Sequence, residues 1–489
     1  MKPANQSKKP PKIAEYLMSR MFPDENHYTT VSDLEEEFLC LLSEKGKTFA
    51  VLWYWLQLIP AFVQCSIHKT KWSSILFKNY LKIALRNIKR NKTNTFLNLF
   101  GLSVGMAVFL LFLLYVKFEM SYDRYHENPD LIYRVVQKQV DRKHYIQIHG
   151  TNIIAVTHAP LAKALTDEFP EVNSAVRVQF RSNTLISSNN AKFIEDKICF
   201  VDPSLFEIFS FELIKGDPVS TLTDPNSIII SERMAKKYFP DDNPIGKILT
   251  YNTSNELRIT GVMENIPENS HFRMDFIIPF RKYDEMYYSA GTSWDNNWHC
   301  YTYIKFRQGA DIKGFEKKLV PLAEKVSGIV GTRNDFMIQP VTSIHLHSHL
   351  FIEIEENSDI KYVYILLTIA FLVLVIACLN YINLTTACSS KRSREVGVRK
   401  VVGAEKKQLV YQFFGESLMV TIIALVLSVI LFYLVLPTFN TLVERNLSLD
   451  IINIPQIILL ISALFFLVGI LAGMYPAVFI SSYKPITAL

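Results

Sequence analysis

Four long apolar segments constrain this chain more than anything else in it. A bilayer core of about 30 Å takes roughly 20 mainly apolar residues in a helix. Phe96–Val116, Tyr362–Leu384, Leu418–Leu436 and Ile457–Ile480 all meet that length, and the last carries no charge. With their flanks they define expected membrane helices at 95–117, 361–386, 414–437 and 455–480. Only 20% of the 489 residues are charged and 49% are hydrophobic, whereas a soluble chain usually carries about 25% charge. Intrinsic disorder, a collagenous repeat and a small disulfide scaffold are excluded. The expected class is a membrane protein, a four-helix transmembrane domain with a large α+β extracytoplasmic domain inserted between helices 1 and 2.

Orientation follows from Lys and Arg. Between His68 and Asn94 stand eight basic residues and no acid; between Lys391 and Phe413 stand seven bases and two acids, Glu395 and Glu405. The loop after the third apolar segment has Arg445 as its strong base. The positive-inside rule places both basic segments in the cytoplasm and the stretch 118–360 outside. The net charge of +6 then calls for membrane lipid headgroups and for no nucleic acid. The first apolar run begins near residue 49, too late for a secretory leader. That run, Phe49–Ile67, is short, aromatic and interrupted by Gln57, Pro60 and Gln64, which favours an interfacial helix over a crossing. Residues 1–67 read as a cytoplasmic N-terminal domain ending in that helix, and 68–94 as a basic amphipathic helix.

The outer stretch is long enough to bury a core. Leu131–Val136, Ser227–Ile230, Leu257–Val262 and Tyr301–Phe306 read as strands, and Ala159–Phe169, Ser231–Tyr238 and Lys313–Lys325 as helices. Its two cysteines, Cys199 and Cys300, are expected as buried free thiols, with a disulfide as the alternative. Gly46-Lys47-Thr48 lacks the upstream glycine that a phosphate loop needs, with Leu41 in its place. His345, His347 and His349 would share one face of a strand, but nothing completes a metal site, and a solvated edge-strand run is expected. No metal and no catalytic residue is assigned.

The membrane-side motifs carry more. Gly101/Gly105 and Gly469/Gly473 place small residues one turn apart for close helix packing, within the chain or between copies. Asn380 and Asn383 lie on one face near the inner end of the second crossing and are expected to knit helices together. The segment 390–413 alternates valines (Val396, Val398, Val401, Val402) with charges (Arg394, Glu395, Arg399, Lys400), and Glu395 and Arg399 have i,i+4 spacing. Gly403-Ala404 should end this short helix and begin the next.

Arg392-x-x-Glu395-Val396-Gly397-Val398-Arg399-Lys400-x-x-Gly403-Ala404, after Asn380-x-x-Asn383-Leu384, resembles the signature of FtsX/MacB-type ABC transporter permeases. Tyr122-Asp123-Arg124, Tyr133-Arg134-Val135, Asp202-Pro203-x-x-Phe206-x-x-Phe209, Gly216-Asp217-Pro218, Tyr238-Phe239-x-x-Asp242-x-Pro244-Ile245-Gly246, Pro267-x-x-Ser270-His271-Phe272 and Gly473-Met474-Tyr475-Pro476-Ala477 are similar to further blocks of that family. Pro10-Pro11-Lys12-Ile13-Ala14 and Trp53-Tyr54-Trp55 look like the prefix domain of some members.

The resemblance implies a permease in the cell inner membrane with a MacB-like domain in the periplasm at 118–360. Residues 390–413 would be the coupling helix segment, with Arg394, Glu395, Val396, Gly397, Val398, Arg399, Lys400, Gly403 and Ala404 seated on a separate ABC ATPase that holds ATP and Mg. No cofactor belongs to this chain. Further implied partners are a second permease module, in a homo- or heterodimer, and a periplasmic adaptor or cargo protein. The implied function is export or mechanotransmission, acting on peptide, lipoprotein or small-molecule cargo. Relatives of this style commonly carry two modules in tandem; a single module that pairs and a truncated chain both stay open. Two other functions remain in competition: a regulatory scaffold controlling periplasmic enzymes such as cell-wall hydrolases, and a receptor with no ATPase.

Overall fold

The computed structural model describes residues 27–44, 50–51, 53–55, 92–140, 151–188, 191–287, 299–387, 396–448 and 454–481, with Pro11, Gly46 and Trp294 singly. The helices long and apolar enough to cross a membrane among these are Lys92–Glu119, Ile360–Ala387, Lys406–Val443 and Ile454–Ser481. Each contains its apolar segment and runs past it. The largest extension is in the third, which starts at Lys406; the second half of the 390–413 segment is thus the first two turns of a membrane helix. Most of the interfacial helix (49–67) and of the basic helix (68–94), together with Lys47 and Thr48, lies outside the described residues. In the N-terminal part, helix His27–Glu44 packs Phe38 against Ala50 and Tyr54, with the Phe38 and Tyr54 rings edge to face at 5.7 Å.

The chain forms two compact units, and all four membrane helices run through both. The first comprises 1–103, 377–427 and 461–489; the second comprises 104–376 and 428–460.

The second unit holds a mixed sheet of fourteen strands among the described residues. Its main path runs Asn334–Pro340, Ile132–Gln139, His299–Phe306, Val172–Arg181, Ile198–Val201, Phe276–Pro279, Ser227–Ser231, Asn255–Met263, Ile248–Tyr251, Thr184–Ser187 and Lys192–Glu195. Two pairings are parallel: Asn255–Met263 with Ser227–Ser231, and Phe276–Pro279 with Ile198–Val201. Ile198–Val201, Phe276–Pro279 and Ser227–Ser231 are buried along their whole length because both faces are covered, whereas Glu256 and Arg258 at the start of Asn255–Met263 are exposed. In Val172–Arg181, by contrast, Val172, Ser174, Val176 and Val178 are buried while Asn173 is exposed, the period-2 signature of a one-sided strand.

The expected outer helices appear at Leu161–Glu168 and Glu232–Tyr238. Ser231 caps the second, its hydroxyl accepting from the Met234 amide at 3.3 Å. The helix expected over Lys313–Lys325 is two helices, Ile312–Lys318 and Val320–Val330. Pro321 lacks an amide proton, so it opens a second helix instead of continuing the first.

The histidine run is a correction. Residues Ile344–His347 form a turn of helix rather than an edge strand, and His345 is buried. At helical spacing, side chains two apart diverge, so His345 and His347 share no face, and His349 lies beyond the turn. Cys199 and Cys300 are buried free thiols, and burial raises both, Cys300 to about 12.

Acid should weaken this domain through His126, which is 4% exposed and accepts the Ser210 amide at Nδ1. Burial holds its imidazole down to about 4 from 6.5, against the opposing pull of Asp123. The unfolded chain therefore takes up a proton that the folded one refuses. Stability is full above pH 6.5 and falls as pH drops through 6.5 toward 4, by roughly 3 kcal/mol in total. His126→Asn, which keeps an acceptor without the titration, should flatten unfolding midpoints of the detergent-solubilised chain over that window. An unchanged pH slope would refute this assignment.

Candidate functional site

The described part of the basic segment opens with a short helix at 396–401. It ends because Gly403 adopts φ +102, a left-handed conformation that glycine takes without strain. The Gly403 amide bonds to the Lys400 carbonyl at 3.1 Å and the Ala404 amide to the Arg399 carbonyl at 2.9 Å, the paired bonds of a Schellman closure. Arg394 and Glu395 lie outside the described residues, so the i,i+4 pairing of Glu395 with Arg399 does too.

Val396 is fully buried and packs with Leu409, Phe413 and Ala477. Gly397 is buried, and Arg399, Lys400 and Ala404 are half-buried. The remaining valines turn outward: Val398 is 48% exposed, Val401 65% and Val402 82%. One face of this helix therefore anchors it, and the other presents apolar surface with nothing among the described residues upon it.

The anchor is the inner end of the third membrane helix. Arg399 Nη1 donates to Gln412 Oε1 at 2.6 Å, and Gln412 Nε2 donates to Glu416 Oε1 at 3.2 Å. One residue on, the Tyr381 hydroxyl of the second membrane helix donates to Ser417 Oγ at 3.0 Å. The fourth membrane helix meets the same stretch through its glycines. A Cβ on Gly473 would stand 3.1 Å from Ser417 Cβ and 3.3 Å from Phe414 Cδ2, and one on Gly469 would stand 2.6 Å from Leu418 Cδ2. A Cβ on Gly101 would lie 3.5 Å from Asn380 Nδ2, and Gly105 is buried. Asn380 and Asn383 are themselves exposed. Sequence reasoning passed over Gln412, Glu416 and Ser417; the available signal was two polar residues four apart at the threshold of an apolar run.

In the second unit, the outer ends of the membrane helices meet the sheet domain through buried polar contacts. Glu119, last residue of the first helix, pairs with His345 at 2.9 Å, and the His345 ring stacks on Tyr122. Asp123, fully buried at φ +57, lies 2.8 Å from His271 Nδ1 and accepts the His271 amide at 3.2 Å. His271 Nε2 is 2.8 Å from the Tyr303 hydroxyl. Two sequence blocks quoted above, Tyr122-Asp123-Arg124 and Pro267-x-x-Ser270-His271-Phe272, are thus one contact.

A third block supplies Arg134, also fully buried, which donates to Glu353 at 2.6 and 3.0 Å, to Gln339 at 2.8 Å and to Ser348 at 2.9 Å. Burial alone would raise the Glu353 carboxyl, but the bonds and charge of Arg134 carry it below the ordinary value. Asn446, between the third and fourth membrane helices, donates to Glu268 through its amide at 2.9 Å and its side chain at 2.6 Å. Elsewhere the domain has an open cleft of about 730 Å³ lined by Lys163, Arg177, Asp202, Asp284 and Lys325. Among the described residues no three His, Cys, Asp or Glu side chains gather as metal ligands.

Residues 95–322 match the MacB-like periplasmic core domain and residues 367–485 the FtsX-like permease C-terminal domain. The chain is 24% identical over 341 residues to the macrolide export ATP-binding/permease protein MacB of Shewanella sp. strain W3-18-1, covering 68% of this chain and 47% of the relative. It is 33% identical over 125 residues to the protein of the same name from Campylobacter jejuni, covering 25% of this chain and 18% of that one. The chain spans about half or less of the curated relatives it matches. Among solved structures, the periplasmic region of MacB from Actinobacillus actinomycetemcomitans aligns over 43% of this chain and 90% of its own, at 16% identity and a TM-score of 0.32.

The two glycines of the fourth membrane helix should differ in tolerance. Leu418 Cδ2, which faces Gly469, is the free end of a flexible side chain, whereas Ser417 Cβ, which faces Gly473, is held by the Tyr381 bond. Gly473→Ala should lower the thermal midpoint in detergent below that of Gly469→Ala, by roughly 1–3 kcal/mol of overpacking. Equal midpoints would show that this helix seam is loose.

Proposed function

Given that the chain belongs to the FtsX/MacB-type ABC transporter permeases, we propose that it is a permease subunit whose helix at 396–401 seats in a separate ABC ATPase. The observation that carries this is the outward apolar face of Val398, Val401 and Val402 on a helix anchored by Val396 and closed by Gly403. Exposed valines on an ordered, glycine-capped helix are a cost unless a partner covers them. A coupling helix needs both properties, a rigid hold on its own bundle and a free face for another protein.

In this reading ATP and Mg are bound by the ATPase, and its closure displaces the 396–401 helix. The membrane helices carry that displacement to the outer domain, whose work falls on a peptide, lipoprotein or small-molecule cargo or on an adaptor. In this reading the helix lies in the cytoplasm and the sheet domain in the periplasm, across the cell inner membrane, a placement that the basic segments support. A second permease module covers Asn380 and Asn383, since exposed carboxamides at membrane depth find no hydrogen-bond partner in lipid tails.

Affinity purification from mild detergent tests both contacts. Wild-type chain should bring down an ABC ATPase and a differently tagged second module. Val401→Asp with Val402→Asp should lose the ATPase about 100-fold, at about 1.5 kcal/mol or more per valine, with the thermal midpoint unchanged. Asn380→Leu with Asn383→Leu should release the second module. A wild-type chain that recovers no ATPase, or a valine variant that keeps it, would sink the coupling assignment.

A further inference from the structure

We propose that Gln412 and Glu416 are positioning residues, a buried polar strut that locks the 396–401 helix to the third membrane helix against sliding. The inference rests on the coupling role given to that helix and names the part of the bundle that receives its movement. Both side chains are only 8% exposed, at the mouth of an otherwise apolar helix. A buried carboxylate and a buried carboxamide are costly without partners, and here the partners are ordered by polarity. The Arg399 guanidinium donates to the Gln412 carbonyl oxygen, and the Gln412 amide donates to the Glu416 carboxylate. One carboxamide thereby bridges a cation and an anion, each end matched to the charge it faces.

The apolar contact of Val396 with Leu409, Phe413 and Ala477 holds the two helices together but is non-directional, and side chains of that kind can slip along one another. Hydrogen bonds weaken steeply when bent or stretched, and more so where water cannot replace them. The strut therefore supplies resistance to shear that the valine contact lacks. It ends beside Ser417, the residue on which the second membrane helix bonds and the fourth packs, so a push on Arg399 reaches all three helices within two turns.

Hydrogen–deuterium exchange of the full chain in lipid nanodiscs, without ATPase, tests this directly. The readout is the Val402, Gly403 and Ala404 amides that close the helix. Gln412→Met keeps size and removes both bonds, and should speed exchange at these amides about tenfold or more. The exchange of partners Gln412→Glu with Glu416→Gln rebuilds the strut with its carboxylate one turn nearer Arg399, and should return the rate to near wild type. Gln412→Asn, one methylene too short, gives the same reading should the Met variant fail to fold. Unchanged exchange in the single variants, or an exchanged pair as fast as Met, would overturn the strut. With the ATPase bound, the Met variant should keep the ATPase yet lose ATP-dependent protection of the outer domain, and the exchanged pair should regain it. If no ATPase binds the wild-type chain, the coupling reading fails while the exchange rates still judge the strut.

Discussion

At the inner end of the third membrane helix a charged group from the basic segment enters the membrane bundle. Arg399 reaches Gln412 at 2.6 Å, and Gln412 reaches Glu416. Other contacts of the first unit gather on the same two turns. Phe413 and Leu409 hold Val396, Ser417 holds Tyr381, and Phe414, Ser417 and Leu418 receive Gly473 and Gly469. Glycine is required opposite Ser417 because the backbone of the fourth helix stands close enough for a Cβ to meet it at 3.1 Å. A polar centre with apolar contacts on either side has a single register, which a uniformly apolar seam would not enforce.

The second unit, taken by itself, shows the same physics. Glu119, Asp123, Arg134, His271 and His345 are buried together with partners of opposite character. Removing one partner leaves a buried polar or charged group unsatisfied, so these contacts resist separation of helix end from sheet. The same helices run through both units. Polar contacts that hold helices in one register suit the displacement-carrying function proposed for the chain.

Much of this was legible in the residues. The four crossings follow from length and hydropathy, and the sheet domain from β-branched runs such as Ser227–Ile230, extended in the structure by one residue to Ser231. Gly403 could be read as a helix stop because only a positive φ explains a glycine there so economically. Pairings between residues far apart could not be read. Asp123 and His271 are 148 positions apart and Glu119 and His345 are 226 apart, and no local pattern encodes such a contact. The histidine run misled because alternation at three positions fits a strand, while one turn of helix fits the same letters. Lys313–Lys325 misled because its apolar spacing continues across Pro321, where the backbone does not. Gln412 and Glu416 were visible as an i,i+4 polar pair, but their meaning depends on Arg399, which only the fold brings to them.

The central claim is that ATP-driven movement of the 396–401 helix reaches the outer domain through the membrane helices. Limited proteolysis of the outer domain, in membranes holding the wild-type chain and its ATPase, with and without ATP, measures that transmission most directly. The account predicts different cleavage patterns in the two conditions, with a hydrolysis-blocking nucleotide analogue holding the pattern of the closed, nucleotide-bound state. Identical patterns with and without ATP, with the ATPase bound and turning over, would contradict it.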